Sequence, residues 1–84
     1  MNDDELMSRA AELPSRFGPR LPDDHAAVLR RIEGGGEWDM LVTETIAALA
    51  KHKAPVTSAE RDELRELAEA TGEGGEYVAA LTVR

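Results

Sequence analysis

The side chains that most often perform catalysis or bind metal ions are scarce in this sequence. Its 84 residues include no cysteine and only two histidines, His25 and His52. Neither histidine has another histidine three or four residues away, the spacing at which one helix face presents two ligands to a metal ion. The sequence therefore predicts no metal site and no thiol chemistry, and it indicates two isolated histidines at a surface or helix edge.

The serines and glycines also lack the surroundings that chemistry requires. No serine lies in a Gly-x-Ser-x-Gly context, and the glycine clusters at 34–36 and 72–75 lack the Lys-Ser/Thr of a phosphate loop and lie among glutamates. An acyl carrier protein would need a serine between Asp and Leu. Ser58 instead lies between Thr57 and Ala59, which is typical of a helix cap. We therefore predict a protein that is not an enzyme and holds no cofactor.

The charge of the chain indicates what kind of partner it suits. With 17 acidic and 10 basic residues the net charge is −7, which repels a phosphate backbone and favours a basic protein partner. Acidity that serves only solubility is the alternative. The sequence starts with acidic residues and has no apolar run of 18 residues, so we expect neither a signal peptide nor a membrane span. The expected location is therefore the cytoplasm.

Glycines and prolines divide the chain into four predicted helices and a tail. The helices are predicted at about Asp3–Leu13, from Leu21-Pro22 to the glycine triplet, from Trp38 to about Lys53, and from the cap at Thr57 to about Ala70. The tail, 77–84, fits a strand as well as a helix, but a lone strand would have no partner, so a short fifth helix is favoured. We predict an all-α fold, a single four- to five-helix bundle over 1–84, with residues 1–4 frayed and a Gly-rich linker at 72–76.

The apolar positions within these helices predict the core. Their spacing of three and four residues places one stripe of each helix towards the interior. The predicted centre of the core is Trp38, Leu41, Val42, Ile46, Leu49, Val28, Leu29, Ile32, Leu64 and Leu67. Phe17 is expected to fold back and plug this core.

Two groups of acidic residues lie outside the apolar stripes and are candidates for partner binding. The candidate partner-binding residues are Glu37, Asp39, Asp62, Glu63 and Glu66. The last three are like-charged neighbours on one predicted helix, an arrangement that costs a few tenths of a kcal/mol for each pair. The alternative is a solvated face on which Arg61 and Arg65 offset the repulsion. Because these acids are predicted to be exposed, charge reversal at them is expected to leave folding nearly intact.

The order of short motifs over about residues 20–72 resembles that of MafI-type immunity proteins. The matching motifs are Arg20-Leu21-Pro22 at a helix start, Gly36-Glu37-Trp38 before a long amphipathic helix, and Pro55-Val56-Thr57 before an acidic one. The resemblance implies a small helical cytoplasmic protein that neutralises the toxic C-terminal domain of a secreted polymorphic toxin, often a nuclease. The resemblance does not identify which residues would inhibit the toxin.

Two classes of function therefore stay open, with an acyl-carrier-like protein as a less favoured third. An immunity protein would bind a cognate basic toxin domain, as a monomer or weak dimer. The alternative is a small acidic adaptor or antitoxin-like regulatory partner that holds a partner helix in a groove between the third and fourth predicted helices.

Overall fold

The protein folds as an all-α bundle, as predicted, with one very short sheet. The fold is described from a computed structural model that covers residues 1–84. The elements are α1 (Asp3–Ala11), α2 (Leu13–Phe17), a 3-10 turn (Gly18–Arg20), α3 (Asp23–Gly34), α4 (Trp38–Lys51), β1 (Pro55–Val56), α5 (Ser58–Thr71), α6 (Gly75–Ala79) and β2 (Thr82–Val83). None of the helices has both the length and the apolar character needed to cross a membrane.

The N-terminal segment contains two helices where one was predicted. Asn2 caps α1, its side-chain oxygen accepting the Glu5 amide at 2.7 Å, so the helix already begins within the segment predicted to fray. Helix α1 ends at Ala11, and Pro14 lies in the first turn of α2. Proline is tolerated there because amides of the first turn have no partner within the helix. Pro14 therefore opens a new helix.

Helix α4 is the centre of the bundle and packs against α1, α2, α3, α5 and α6. Its buried residues lie on more than one face because neighbours surround it. One of them is polar: Thr45 is fully buried, and its hydroxyl donates to the Leu41 carbonyl at 2.7 Å. That bond satisfies the hydroxyl, which would otherwise be costly to bury.

The predicted core is confirmed at its centre and corrected at its edges. Seven of the predicted residues are buried: Leu29, Leu41, Val42, Ile46, Leu49, Leu64 and Leu67. Trp38 and Ile32 are only partly buried and pack against the core from its edge, and Val28 is half-buried. The predicted plug is confirmed, since Phe17 is 1 % exposed. The interior also includes Leu13, Leu21, Val56 and Val78, which were not among the predicted core residues.

The tail contains both a helix and a strand. Residues Gly75–Ala79 form α6, and Val78 of this helix reaches the core. The expectation that a strand in the tail would lack a partner was wrong: β2 pairs in parallel with β1, and the Arg84 amide donates to the Val56 carbonyl at 2.9 Å. A parallel pair needs a long crossover, which α5 and α6 supply.

The C-terminus of α4 carries strain that a substitution can relieve. Lys53 has φ = 51°, in the left-handed region, while the Ala54 amide donates to the Leu49 carbonyl at 3.0 Å. Glycine is the usual residue at this position of a helix end. We expect Lys53→Gly to raise the free energy of unfolding by about 0.5–1 kcal/mol, measured by urea denaturation, because a Cβ is unfavourable at positive φ. Lys53→Ala is the control, and an equal gain in both variants would contradict the explanation.

Candidate partner-binding surface

An open groove of about 530 Å³ lies between the first turns of α1 and α4. It is lined by Asp3, Leu6, Gly36, Glu37, Trp38, Asp39 and Met40. Carboxylates and large apolar side chains therefore share one concave surface, and two of the five predicted partner-binding residues lie in it.

The way the two helices begin explains why these carboxylates are available. Glu37 is the N-cap residue of α4, and its side chain makes no capping bond. Asp3 and Asp39 lie in the first turns of α1 and α4, where the positive end of the helix dipole favours a negative charge. None of the three forms an ion pair with the chain's own basic residues. Their charge therefore faces solvent uncompensated by a cationic side chain.

Apolar side chains accompany these charges. Trp38 is half-buried and lines the groove, and Met40 is 48 % exposed. Outside the groove lining, Met1, which precedes α1, and Met7, within α1, are exposed as well. Exposed methionines adapt to irregular partner surfaces, and tryptophan is prominent among the residues that contribute most to interfaces.

The acids of α5 are arranged differently, since most of them are bound by arginines of the same chain. Arg9 donates to Glu66 at 2.8 Å, and Arg16 donates to Glu63 at 2.9 Å. Asp62 lies 3.3 Å from both Arg61 and Arg65 of its own helix. The predicted residues Asp62, Glu63 and Glu66 are therefore not brought into the groove, and each is engaged by a cation.

A third contact continues this series, which we call the arginine–glutamate ladder: Arg9–Glu66, Arg16–Glu63 and Arg20–Glu60. Arg20 donates twice to the Glu60 carboxylate, both at 2.7 Å, and its guanidinium lies 4.9 Å from the centroid of the Phe17 ring. The arginines ascend in the sequence as the glutamates descend. Sequence reasoning missed this ladder, although that reversed order is the signal of two antiparallel segments.

The strongest contact of the ladder makes folding stability depend on pH. The hydrogen bonds from Arg20, with further help from the Thr57 amide, lower the pKa of Glu60 from 4.5 to about 2. Hydrogen bonding by Glu60 in turn raises the pKa of Arg20. A lowered carboxylate pKa in the folded state stabilises the protein above the ordinary pKa, and this contribution is lost as the pH falls through 4.5 towards 2.

We expect Glu60→Gln to lower the free energy of unfolding by about 1.5–3 kcal/mol at pH 7, because charge-assisted bonds to Arg20 are lost. Glutamine preserves the capping interaction with Thr57, so the helix start is retained. Denaturant titrations from pH 7 down to 2 should show the difference from the parent shrinking below pH 4.5. Glu69→Gln, at an exposed glutamate without an ion pair, is the control, and a constant difference across this range would contradict the assignment.

A second groove, of about 440 Å³, lies at the junction of α5 and α6. It also carries acids, Glu69, Glu73 and Glu76, but the rest of its lining is one arginine, glycines and small apolar residues. It has no aromatic or methionine side chain to anchor a partner. The groove of α1 and α4 is therefore the better candidate for a protein interface.

The surface in which a partner helix was expected to lie is filled by the chain itself. The groove between the third and fourth predicted helices corresponds to α4 and α5, and α6 packs against both. A Cβ built on Gly74, at the start of α6, would lie 3.9 Å from the Ala68 Cβ and 4.0 Å from the Ile46 Cδ1. A partner helix could enter there only by displacing α6.

The two histidines, predicted to be isolated, lie in contact. His25 Nδ1 and His52 Nε2 are 2.8 Å apart, although the residues are 27 positions apart in the sequence. No group of three or more His, Asp or Glu side chains converges as a metal site. No protein-family model, curated protein or solved structure matches this chain.

Proposed function

We propose that this protein is a cytoplasmic immunity protein that binds and neutralises a cognate secreted polymorphic toxin domain, a basic nuclease. The observation that carries the proposal is the groove of α1 and α4, where Asp3, Glu37 and Asp39 are unpaired beside Trp38 and Met40. The motif order over residues 20–72, which resembles that of MafI-type immunity proteins, supports the same function.

Charge complementarity around an apolar centre supports this function. A nuclease needs a basic cleft for the phosphate backbone of its substrate. An acidic protein is steered towards such a cleft, and a chain with a net charge of −7 has the required sign. Trp38 and Met40 supply apolar contact once the partner is docked. Inhibition of this kind requires no catalysis and no cofactor.

The predicted partner-binding acids differ in whether a basic residue of the same chain already pairs with them. Glu37 and Asp39 are free to receive an arginine or lysine of the partner, and Asp3 joins them. A partner cation at Glu63 or Glu66 would compete with Arg16 or Arg9. We therefore expect Glu37 and Asp39 to contribute more to binding than the acids of α5.

A protection assay tests the function itself. The toxin domain for this assay is taken from a neighbouring gene. That gene should encode a large secreted protein with a variable C-terminus. Cells expressing this domain should stop growing, and co-expression of the protein should restore growth. Co-purification of both chains as a 1:1 complex is the accompanying prediction. Growth arrest that the protein does not relieve would overturn the proposal.

A further inference from the structure

The contact between His25 and His52 is unusual because it joins the ends of two helices. His25 lies in the first turn of α3, and His52 is the C-cap residue of α4. The ring centroids are 4.9 Å apart with the rings nearly perpendicular, at 81°. Neither imidazole forms an ion pair, so both are available to a ligand on their exposed side.

The separation of the two nitrogens is close to what a shared metal ion needs. His25 Nδ1 and His52 Nε2 are 2.8 Å apart, a distance at which one ring donates a proton to the lone pair of the other. Two imidazoles bound to one ion at about 2.0–2.1 Å hold their nitrogens roughly 3 Å apart. A shift of a few tenths of an ångström, with a rotation of the rings that turns both lone pairs towards the ion, therefore exchanges the shared proton for a metal ion. His52 is exposed, and its side chain has the freedom to make this shift.

We propose that His25 Nδ1 and His52 Nε2 form a surface site for a divalent transition-metal ion of the Ni²⁺, Cu²⁺ and Zn²⁺ group. Neutral imidazole suits these ions, whereas Mg²⁺ and Ca²⁺ prefer oxygen ligands. Because no third protein ligand converges there, water completes the coordination and the ion exchanges readily. The bound ion thus links two helices at the surface and stays open to solvent, unlike the ion in the closed site of a structural zinc.

The charges around the site are balanced. Asp23 and Asp24 lie with His25 in the first turn of α3, and the Asp24 carboxylate accepts the His25 amide at 2.9 Å. Lys51 and Lys53 flank His52 in the sequence. The opposed charges largely cancel, so the affinity depends on the two imidazoles.

Binding of Ni²⁺ to the folded chain is expected to stabilise it. The unfolded chain does not hold the two rings together, so the ion raises Tm by mass action. For a domain of this size we expect a rise of about 4 °C or more once the free ion exceeds its dissociation constant about tenfold. If the two histidines only form a hydrogen bond and bind no ion, Ni²⁺ should leave Tm unchanged.

Titration calorimetry and thermal unfolding with NiCl₂ test the site on the full chain. We expect one Ni²⁺ per chain and a raised Tm for the parent, at least a tenfold loss of affinity in both His25→Gln and His52→Gln, and no change in the control Glu69→Gln, at an exposed residue of α5 away from the site. Paramagnetic broadening by Ni²⁺ in the parent, confined to resonances of the two histidines and their neighbours, locates the ion without any variant. No binding by the parent, unchanged binding in either histidine variant, or broadening elsewhere would overturn the proposal.

Discussion

Replacing Phe17 by alanine is expected to destabilise the protein by about 3–5 kcal/mol, because it removes a fully buried aromatic ring and leaves a cavity. A chain of 84 residues has a total stability of roughly 4–13 kcal/mol, so this loss is a large fraction of it. The ring also supports the arginine–glutamate ladder, since Arg16 and Arg20 lie 5.1 Å and 4.9 Å from its centroid. Loss of the ring therefore weakens the core and the ladder together.

Urea denaturation followed by circular dichroism measures this effect. Phe17→Leu, which keeps most of the buried volume, should recover most of the lost stability. Met40→Ala is the exposed control, at a residue that is 48 % exposed, and it should change stability by less than about 0.5 kcal/mol. A Phe17→Ala variant as stable as Met40→Ala would contradict the assignment of α2 to the core.

The second large effect is expected in partner binding. Reversing the two acids of the groove together, with Glu37→Lys and Asp39→Lys, should weaken the complex with a basic toxin domain by about 2 kcal/mol or more, roughly 30-fold in Kd. The association rate should fall as well and should become less sensitive to salt, because these charges steer the encounter. Binding kinetics at two salt concentrations measure both effects.

A matched control comes from the second groove. Glu73→Lys with Glu76→Lys reverses the same number of charges, and Glu76, like Asp39, lies in the first turn of a helix. Both double variants should stay helical. The free energy of unfolding of each should fall by only about 0.3–1 kcal/mol, because one acid is removed from a helix N-terminus. Equal weakening of binding by the two would mean that net charge matters and the groove of α1 and α4 does not.

The ladder changes what is expected of the acids of α5. Charge reversal at Glu63 and Glu66 would place lysines against Arg16 and Arg9, so we expect a modest stability cost that the sequence alone did not indicate. A triple charge reversal at Asp3, Asp4 and Glu5, in the first turn of α1, would not be a neutral control for variants of these acids. Asp3 lines the groove, and Glu5 lies 3.8 Å from Arg9.

Local signals in the sequence predicted the fold well. The capping box of Thr57 and Glu60 is formed as its spacing indicates, and Gly72 ends α5 in the left-handed conformation. Pro14, directly after the first predicted helix, could not be assigned from the sequence, because proline both ends a helix and begins one. The apolar stripes identified the central core residues because burial follows helical periodicity.

Features that join distant parts of the chain could not be predicted in the same way. The strand at 82–83 depends on β1, the ladder on the antiparallel course of two segments, and the histidine contact on where α3 begins and α4 ends. Of the predicted partner-binding residues, only Glu37 and Asp39 come together in one groove. Exposure alone cannot distinguish a free carboxylate from one already held by an arginine.

The single tryptophan allows the partner-binding surface to be located directly. Isotope-labelled protein titrated with the unlabelled toxin domain shows only its own resonances, including the indole N–H of Trp38. We expect this signal to shift strongly on binding, together with the amides of Asp39 and Met40 and that of Asp3 across the groove. An unmoved Trp38 indole in a complex that perturbs α5 and α6 instead would contradict the assignment of the groove as the site of toxin binding.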